Sequence, residues 1–184
     1  MMIKKLIGAV CLVATLGLIS VESARAESAE EIDAKVNIAL NTLLEDSEAA
    51  QAIDEKAIAT LVFPDIIKAG LGVGGQYGEG ALRRDGATVG YYNIASASFG
   101  FQAGAQTYSQ VLYFMTEEAL ETFRKARGFE LGADANVAVL SEGAGIDVST
   151  ATALDPIVAF VFGQQGLMGG VTLEGSKISK ITPK

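Results

Sequence analysis

The sequence predicts an α+β domain in which N-terminal amphipathic helices pack on a curved, mainly antiparallel sheet that could close towards a barrel. Three observations lead to this fold class. Apolar residues recur at helical spacing in residues 28–61, whereas from Lys68 onward the period changes to two. In addition, one face of the first predicted strand is almost entirely glycine, which favours a close approach of other backbone.

The first 26 residues are typical of a secretory signal peptide. Lys4 and Lys5 precede an apolar run over residues 6–19, and the small-residue pattern Ala24-Arg25-Ala26 follows. This pattern predicts cleavage after Ala26 and export to the periplasm or the exterior. We therefore expect a single domain formed by residues 27–184.

Composition excludes several classes of function. The sequence contains no histidine, and its only cysteine, Cys11, lies in the predicted signal peptide. The usual general base, the commonest zinc ligand and the thiol nucleophile are therefore missing, so we expect no enzyme and no cofactor. Removal of residues 1–26 also takes away a charge of +2 and changes the formal net charge from −8 to −10. Such acidity argues against nucleic acid as a partner.

Three helices are predicted from capping signals and helical spacing. Ser28 and Glu31 form a capping box ahead of an amphipathic helix that runs to residue 44. A second helix is expected from Ser47 through Leu61, and Pro64 marks its end or a turn shortly before it. The third covers residues 117–127 behind the N-cap Thr116.

Gly70, Gly72 and Gly75 have the G-x-G-x-x-G spacing of a nucleotide-binding loop. That motif requires a helix to open on the third glycine, because the helix N-terminus holds the pyrophosphate. Here two further glycines follow within five residues, and alternate positions from 70 to 80 are nearly all glycine. We therefore interpret the stretch as a strand with a bare face, against which backbone, a helix or a ligand can lie.

The rest of the chain is predicted to be mostly strand. Asp85-Gly86 indicates a hairpin turn, and the following strands are poor in bulky residues, so the two small-residue strands are expected to pack closely. Residues 141–155 indicate a long loop, either functional or a mobile connection. Further strands are predicted at 88–93, 94–106, 111–115, 129–131, 135–140, 157–162, 167–174 and 176–181, with a turn at 163–166.

Three ordered motifs resemble those of the SYLF domain family. They are the segments Phe63–Gly70, Ser96–Gln106 and Gly166–Lys177, and the similarity extends from Glu55 to the C-terminus. The family includes eukaryotic lipid- and actin-associated proteins of endocytosis and exported bacterial lipid-binding proteins.

The resemblance implies a non-enzymatic domain that binds phospholipid at the membrane of a bacterial envelope. The mechanism would be burial of apolar surface together with contacts from basic side chains to head groups. Candidate lipid-binding residues are Lys35, Lys68, Arg124, Lys125, Arg127, Lys177 and Lys180. A solvated charged face is the alternative interpretation of these residues. An alternative function is a structural or protein-interaction module whose sheet edge or long loop docks another envelope protein.

Overall fold

A computed structural model of the protein describes residues 27–141, 155–166 and 175–184, and the α+β class is confirmed. Within these ranges three helices pack with six strands that belong to one sheet. The predicted signal peptide, most of the loop at 141–155 and the strand at 167–174 lie outside the described residues. The elements are α1 (Ala29–Asp46), α2 (Glu48–Asp54), β1 (Ala59–Arg84), β2 (Ala87–Phe114), α3 (Glu117–Lys125), β3 (Phe129–Glu130), β4 (Val137–Ser141), β5 (Ile157–Gly166) and β6 (Lys177–Ile181).

All three predicted helix starts are confirmed. The Ser28 hydroxyl accepts a hydrogen bond from the Glu31 amide at 3.2 Å, while the Glu31 carboxylate accepts one from the Ser28 amide at 2.9 Å. Ser47 and Thr116 cap α2 and α3 in the same way through their hydroxyl groups. The third helix ends at Lys125, two residues before the predicted end.

The predicted extent of the second helix is wrong. The helix ends at Asp54, and β1 already begins at Ala59 and continues through Pro64. Ala59 pairs with Phe114, so the hydrogen-bonding partner that makes this segment a strand lies more than 50 residues away. Pro64, which cannot donate to a ladder, lies at a register shift between Phe63 and Ile66.

β1 and β2 form one long antiparallel ribbon, and its turn is the predicted hairpin. Asp85 and Gly86 both have positive φ angles, 52° and 77°. Two-residue hairpin turns require such angles when their backbone twist matches that of the flanking strands. β2 is a single strand of 28 residues, where the sequence predicted several pieces. It also pairs antiparallel with β5 and β6, and among the strand pairs of the described residues only β4–β5 is parallel. The mainly antiparallel character is thus confirmed.

Glycines allow the ribbon to fold back on itself. A Cβ atom at Gly70 would lie 2.7 Å from Gly74 Cα, so β1 bends sharply between these residues. Beyond the bend, a Cβ atom at Gly78 would lie 2.8 Å from Asp65 O, and one at Gly80 would lie 2.1 Å from Val62 O. The bare face therefore rests against the backbone of the same strand, and the interpretation as a close-approach strand is confirmed.

The curled ribbon has two apolar cores. The inner core lies on its concave side, where Phe63, Ile66 and Leu82 pack with α3 and with the first residues of β5. The outer core lies on the opposite face, where α1 and α2 cover Val62 and Val111. The helices cover only part of that outer face.

The predicted turn at 163–166 is also wrong, because β5 continues to Gly166, which pairs with Gln106. Its left-handed glycines, Gly163 and Gly166, fit a register shift between Thr107 and Ser109 on the neighbouring strand. Gly163 thus lies within a paired strand and does not end it.

Three buried glutamines lie on the concave face. Gln76 is satisfied, because it accepts a hydrogen bond from the Tyr108 hydroxyl at 2.8 Å and donates to the Ser176 hydroxyl at 2.7 Å. Gln106 and Gln110, on either side of Tyr108, have side-chain oxygen and nitrogen atoms without a hydrogen-bond partner. A buried amide without partners lowers stability.

We predict that Gly80→Ala destabilises the protein by about 3 kcal/mol, because the new methyl group would collide with the Val62 carbonyl and force the two legs of β1 apart. Urea unfolding followed by circular dichroism measures the loss.

Gly90→Ala is the matched control. The nearest neighbour of its new methyl group would be the ring of Tyr92 at 3.2 Å, which a small rotation can relieve. Equal stability of the Gly80 and Gly90 variants would contradict the close approach.

We predict that Gln110→Leu raises the free energy of unfolding by about 1 kcal/mol, because it replaces an unpartnered amide with an apolar side chain of similar size. The corresponding increase in Tm is about 2–4 °C. The same change at exposed Gln164 should leave Tm unchanged. A lower Tm for Gln110→Leu would show that the amide is satisfied in solution.

Candidate functional site

Four exposed apolar side chains lie on the outer face of β1, around its bend. Ile67, Leu71, Val73 and Tyr77 are 60, 83, 61 and 49% exposed. They occupy odd-numbered positions of one strand, which point to the same side of the sheet. We call these four residues the apolar corner.

The bend explains why the corner protrudes. Gly70 and Gly74 face each other on the concave side, so the side chains of Leu71 and Val73 project from the convex side. This part of the outer face lies beyond α1 and α2, which cover the ribbon near its base. Exposed apolar groups that cluster in this way are typical of surfaces that contact a membrane or another protein.

Acidic residues border the apolar corner. The Tyr77 hydroxyl donates to Glu79 Oε1 at 2.6 Å, and Asp65 is exposed at the other end of the corner. Burial raises the pKa of Tyr77, and the hydrogen bond to Glu79 raises it further. Tyr77 therefore remains a neutral phenol at neutral pH, with an apolar ring and a polar tip, as side chains at membrane–water interfaces often have.

A groove of about 390 Å³ adjoins the corner. Its walls include Lys35 and Ile38 of α1, Asp65 of β1 and Thr107 of β2, and Thr107 is the direct partner of Ile67. Ile38 is itself 68% exposed, so α1 adds an exposed apolar side chain at the wall of the groove.

Two of the predicted lipid-binding residues lie apart from the others. Lys35 Nζ is 2.7 Å from Glu27 Oε1 and 3.4 Å from Asp65 Oδ2. The hydrogen bond to Glu27 is the main cause of its raised pKa, so Lys35 is a charged group balanced by two acids. Lys68 is half-buried on β1 opposite Gln106, on the concave face.

The other five predicted residues gather where α3 ends beside β6, and we call them the basic end. Lys125 pairs with Glu121 at 2.6 Å, and Arg124 lies near the Tyr92 hydroxyl. The side chain of Lys177 crosses Gly128, next to Arg127 in the chain. Lys180 is exposed and pairs in register with Tyr92.

The sequence prediction chose charged residues and missed the apolar corner. A signal for it was present, because Leu71, Val73 and Tyr77 alternate with glycines. A strand with one glycine face and one apolar face has no polar face to present to solvent. When the glycine face packs against backbone, the apolar face remains exposed unless another element covers it. The position left uncovered depends on the bend and on the length of α1, which the alternation alone does not specify.

Neither a spanning helix nor a metal centre occurs in the described ranges. None of the helices there has the length and apolar character needed to cross a bilayer. No group of three or more acidic, cysteine or histidine side chains in these ranges could hold a metal ion.

Residues 95–182 match a family model, that of Ysc84, described as the Las17-binding protein actin regulator. The match begins in β2 and extends through β6, so it covers two of the three motifs that resemble the SYLF family. No curated protein matches the chain.

The predicted resemblance to the SYLF family is thus confirmed over residues 95–182, and the Ysc84 (SYLF) family is one of binding domains and not a known family of enzymes.

Proposed function

We propose that this domain binds phospholipid membranes by inserting the apolar corner into the bilayer. The observation that supports the proposal most is the exposure of Leu71 and Val73 on the convex side of the bend in β1. A bend formed by paired strands presents these side chains without a cost in ordering a flexible loop.

The energy of insertion comes from burial of apolar area. Removing a Leu or Val side chain from water contributes about 1.5–3 kcal/mol. Leu71 and Val73 together therefore provide enough energy for reversible association, and Ile67 and the ring of Tyr77 add to it. This energy does not depend on the charge of the lipid.

Head groups would contact the polar border of the corner. Lys35 can meet a phosphate, but Glu27 and Asp65 beside it oppose a general attraction to anionic lipid. The basic end offers a separate contact for phosphates. We therefore propose a membrane-binding function without a requirement for anionic lipid. The predicted signal peptide supports a site of action at the membrane of the export compartment.

A second candidate function is binding of a protein partner, which the description of the matched family favours. Within the described ranges β4 pairs only with β5, and exposed Val139 lies on it. A strand with an unpaired edge can accept an extended segment of another protein through main-chain hydrogen bonds.

We predict that Leu71→Ser weakens binding to vesicles of zwitterionic lipid by about tenfold or more, because the inserted apolar side chain is lost. Co-sedimentation over a range of lipid concentrations measures the change. The fold should be unaffected, since the position is exposed.

Val139→Ser is the matched control, because it removes an exposed apolar side chain from another part of the sheet. Binding should persist at about 0.5 M salt, where charge interactions are strongly screened. Absence of sedimentation with both zwitterionic and anionic vesicles would refute the membrane function and favour the protein partner.

A further inference from the structure

A pocket of about 350 Å³ lies between α1, the end of α2 and the β1–β2 turn. Asn37 and Asn41 line it from α1, whereas the groove beside the apolar corner uses Lys35 and Ile38. The pocket therefore lies on the other flank of α1 from the apolar corner. Its volume is within the range of sites for small molecules.

Two of the four charged side chains that line the pocket, Arg83 and Asp54, do not form an ion pair with each other. Arg83 is held in place, because its guanidinium donates to Asn37 Oδ1 and, at 2.7 Å, to Gly86 O. Asp54 makes no ion pair with any part of the chain that the structure describes, although the charge of Arg83 acts on it.

Arg84, the other guanidinium at the pocket, is already engaged. It pairs with Glu117 and, at 3.8 Å, with Asp85. Arg83 therefore has the N–H groups that remain for an incoming oxyanion, since only two of its five donors have partners among the described residues.

A buried hydroxyl without a partner lies beside Asp54. Tyr113 is fully buried, and its hydroxyl makes no hydrogen bond of good geometry to the described residues, although it lies next to the Asp54 carboxyl. Burial raises the pKa of Asp54, with the Tyr113 hydroxyl and Arg83 acting in the opposite direction. A carboxylate that is partly removed from water favours a positively charged hydrogen-bond donor beside it.

We propose that this pocket binds a small zwitterion in which a primary ammonium group and a phosphate are joined by a short chain, as in phosphoethanolamine. The ammonium group donates to the Asp54 carboxylate, which the buried Tyr113 hydroxyl approaches from the protein interior, and the phosphate accepts from Arg83. A guanidinium presents parallel donors that suit a phosphate. The ligand can be a free zwitterion or the head group of a phospholipid, and the proposal does not depend on the apolar corner.

Isothermal titration calorimetry of the full chain with O-phosphoethanolamine tests the proposal. We expect saturable binding of one ligand. The affinity for ethanolamine alone and for inorganic phosphate alone should be lower by at least about tenfold. Asp54→Asn and Arg83→Gln should each reduce affinity at least about tenfold. Asp46→Asn, at the exposed end of α1, is the matched control and should bind as the unchanged protein does.

Stability separates loss of binding from loss of fold. Because burial raises the pKa of Asp54 in the folded state, its charged form costs stability at neutral pH, and that cost disappears below pH 3.8, where the group is protonated in both states. Asp54→Asn should therefore have an equal or higher Tm at pH 7, with no difference from the unchanged protein below pH 3.8. A folded Asp54→Asn protein that binds the probe unchanged would overturn the proposal, and so would absence of saturable binding by the unchanged protein.

Vesicles distinguish the two sources of the ligand. Competition with the soluble probe by phosphatidylethanolamine vesicles, but not by phosphatidylcholine vesicles, supports a lipid head group, whereas absence of competition supports a free zwitterion. Leu71→Ser should still bind the soluble probe, and Asp54→Asn should still sediment with phosphatidylcholine vesicles. The pocket and the apolar corner can therefore fail independently.

Discussion

The architecture depends on the direct contact between two stretches of the same strand. Gly78 and Gly80 bring one leg of β1 against the backbone at Val62 and Asp65, at distances that no side chain would permit. This contact closes the ribbon around the inner core. It also fixes the bend at Gly70 and Gly74, because the two legs can meet only if the strand turns sharply between them.

The same constraint determines which surface remains bare. A closed ribbon has a convex outer face that is longer than the two N-terminal helices can cover. α1 is attached near the hairpin turn, where Asp33 accepts hydrogen bonds from the hydroxyl groups of Thr88 and Tyr91, and it packs over Val62 near the base. The bend lies beyond these attachments, and its apolar side chains face solvent. Exposure of Leu71 is thus a consequence of the closure of the sheet.

Local signals in the sequence predicted the parts of the fold that are determined locally. The caps at Ser28, Ser47 and Thr116 need only neighbours within three residues, and the Asp85-Gly86 turn needs only its own backbone preference. The alternation of glycines predicted that another part of the molecule would lie close to β1, but it did not predict which part. Helical spacing failed at Ala59, because the strand that pairs with it is distant in sequence.

The candidate site was less predictable for the same reason. Charge can be read from sequence at once, so Arg124 and Lys177 were chosen, and the structure brings them to the same end of the fold. Whether Leu71 is buried depends on what covers the bend. Arg83 and Asp54, which carry opposite charges, line the same pocket only because the hairpin turn lies beside the end of α2. Such sites follow from tertiary contacts between distant segments.

A spin-label scan along β1 tests the membrane-binding account most directly. In a Cys11→Ser background, single cysteines at positions 67, 69, 71 and 73, with position 139 as a reference, would carry nitroxide labels whose accessibility to oxygen and to a water-soluble nickel complex is measured with and without phosphatidylcholine vesicles. The account predicts that vesicles increase oxygen access and decrease nickel access at 71 and 73, less so at 67 and 69, and not at 139. Unchanged accessibility at 71 and 73 in protein that sediments with the vesicles would contradict it.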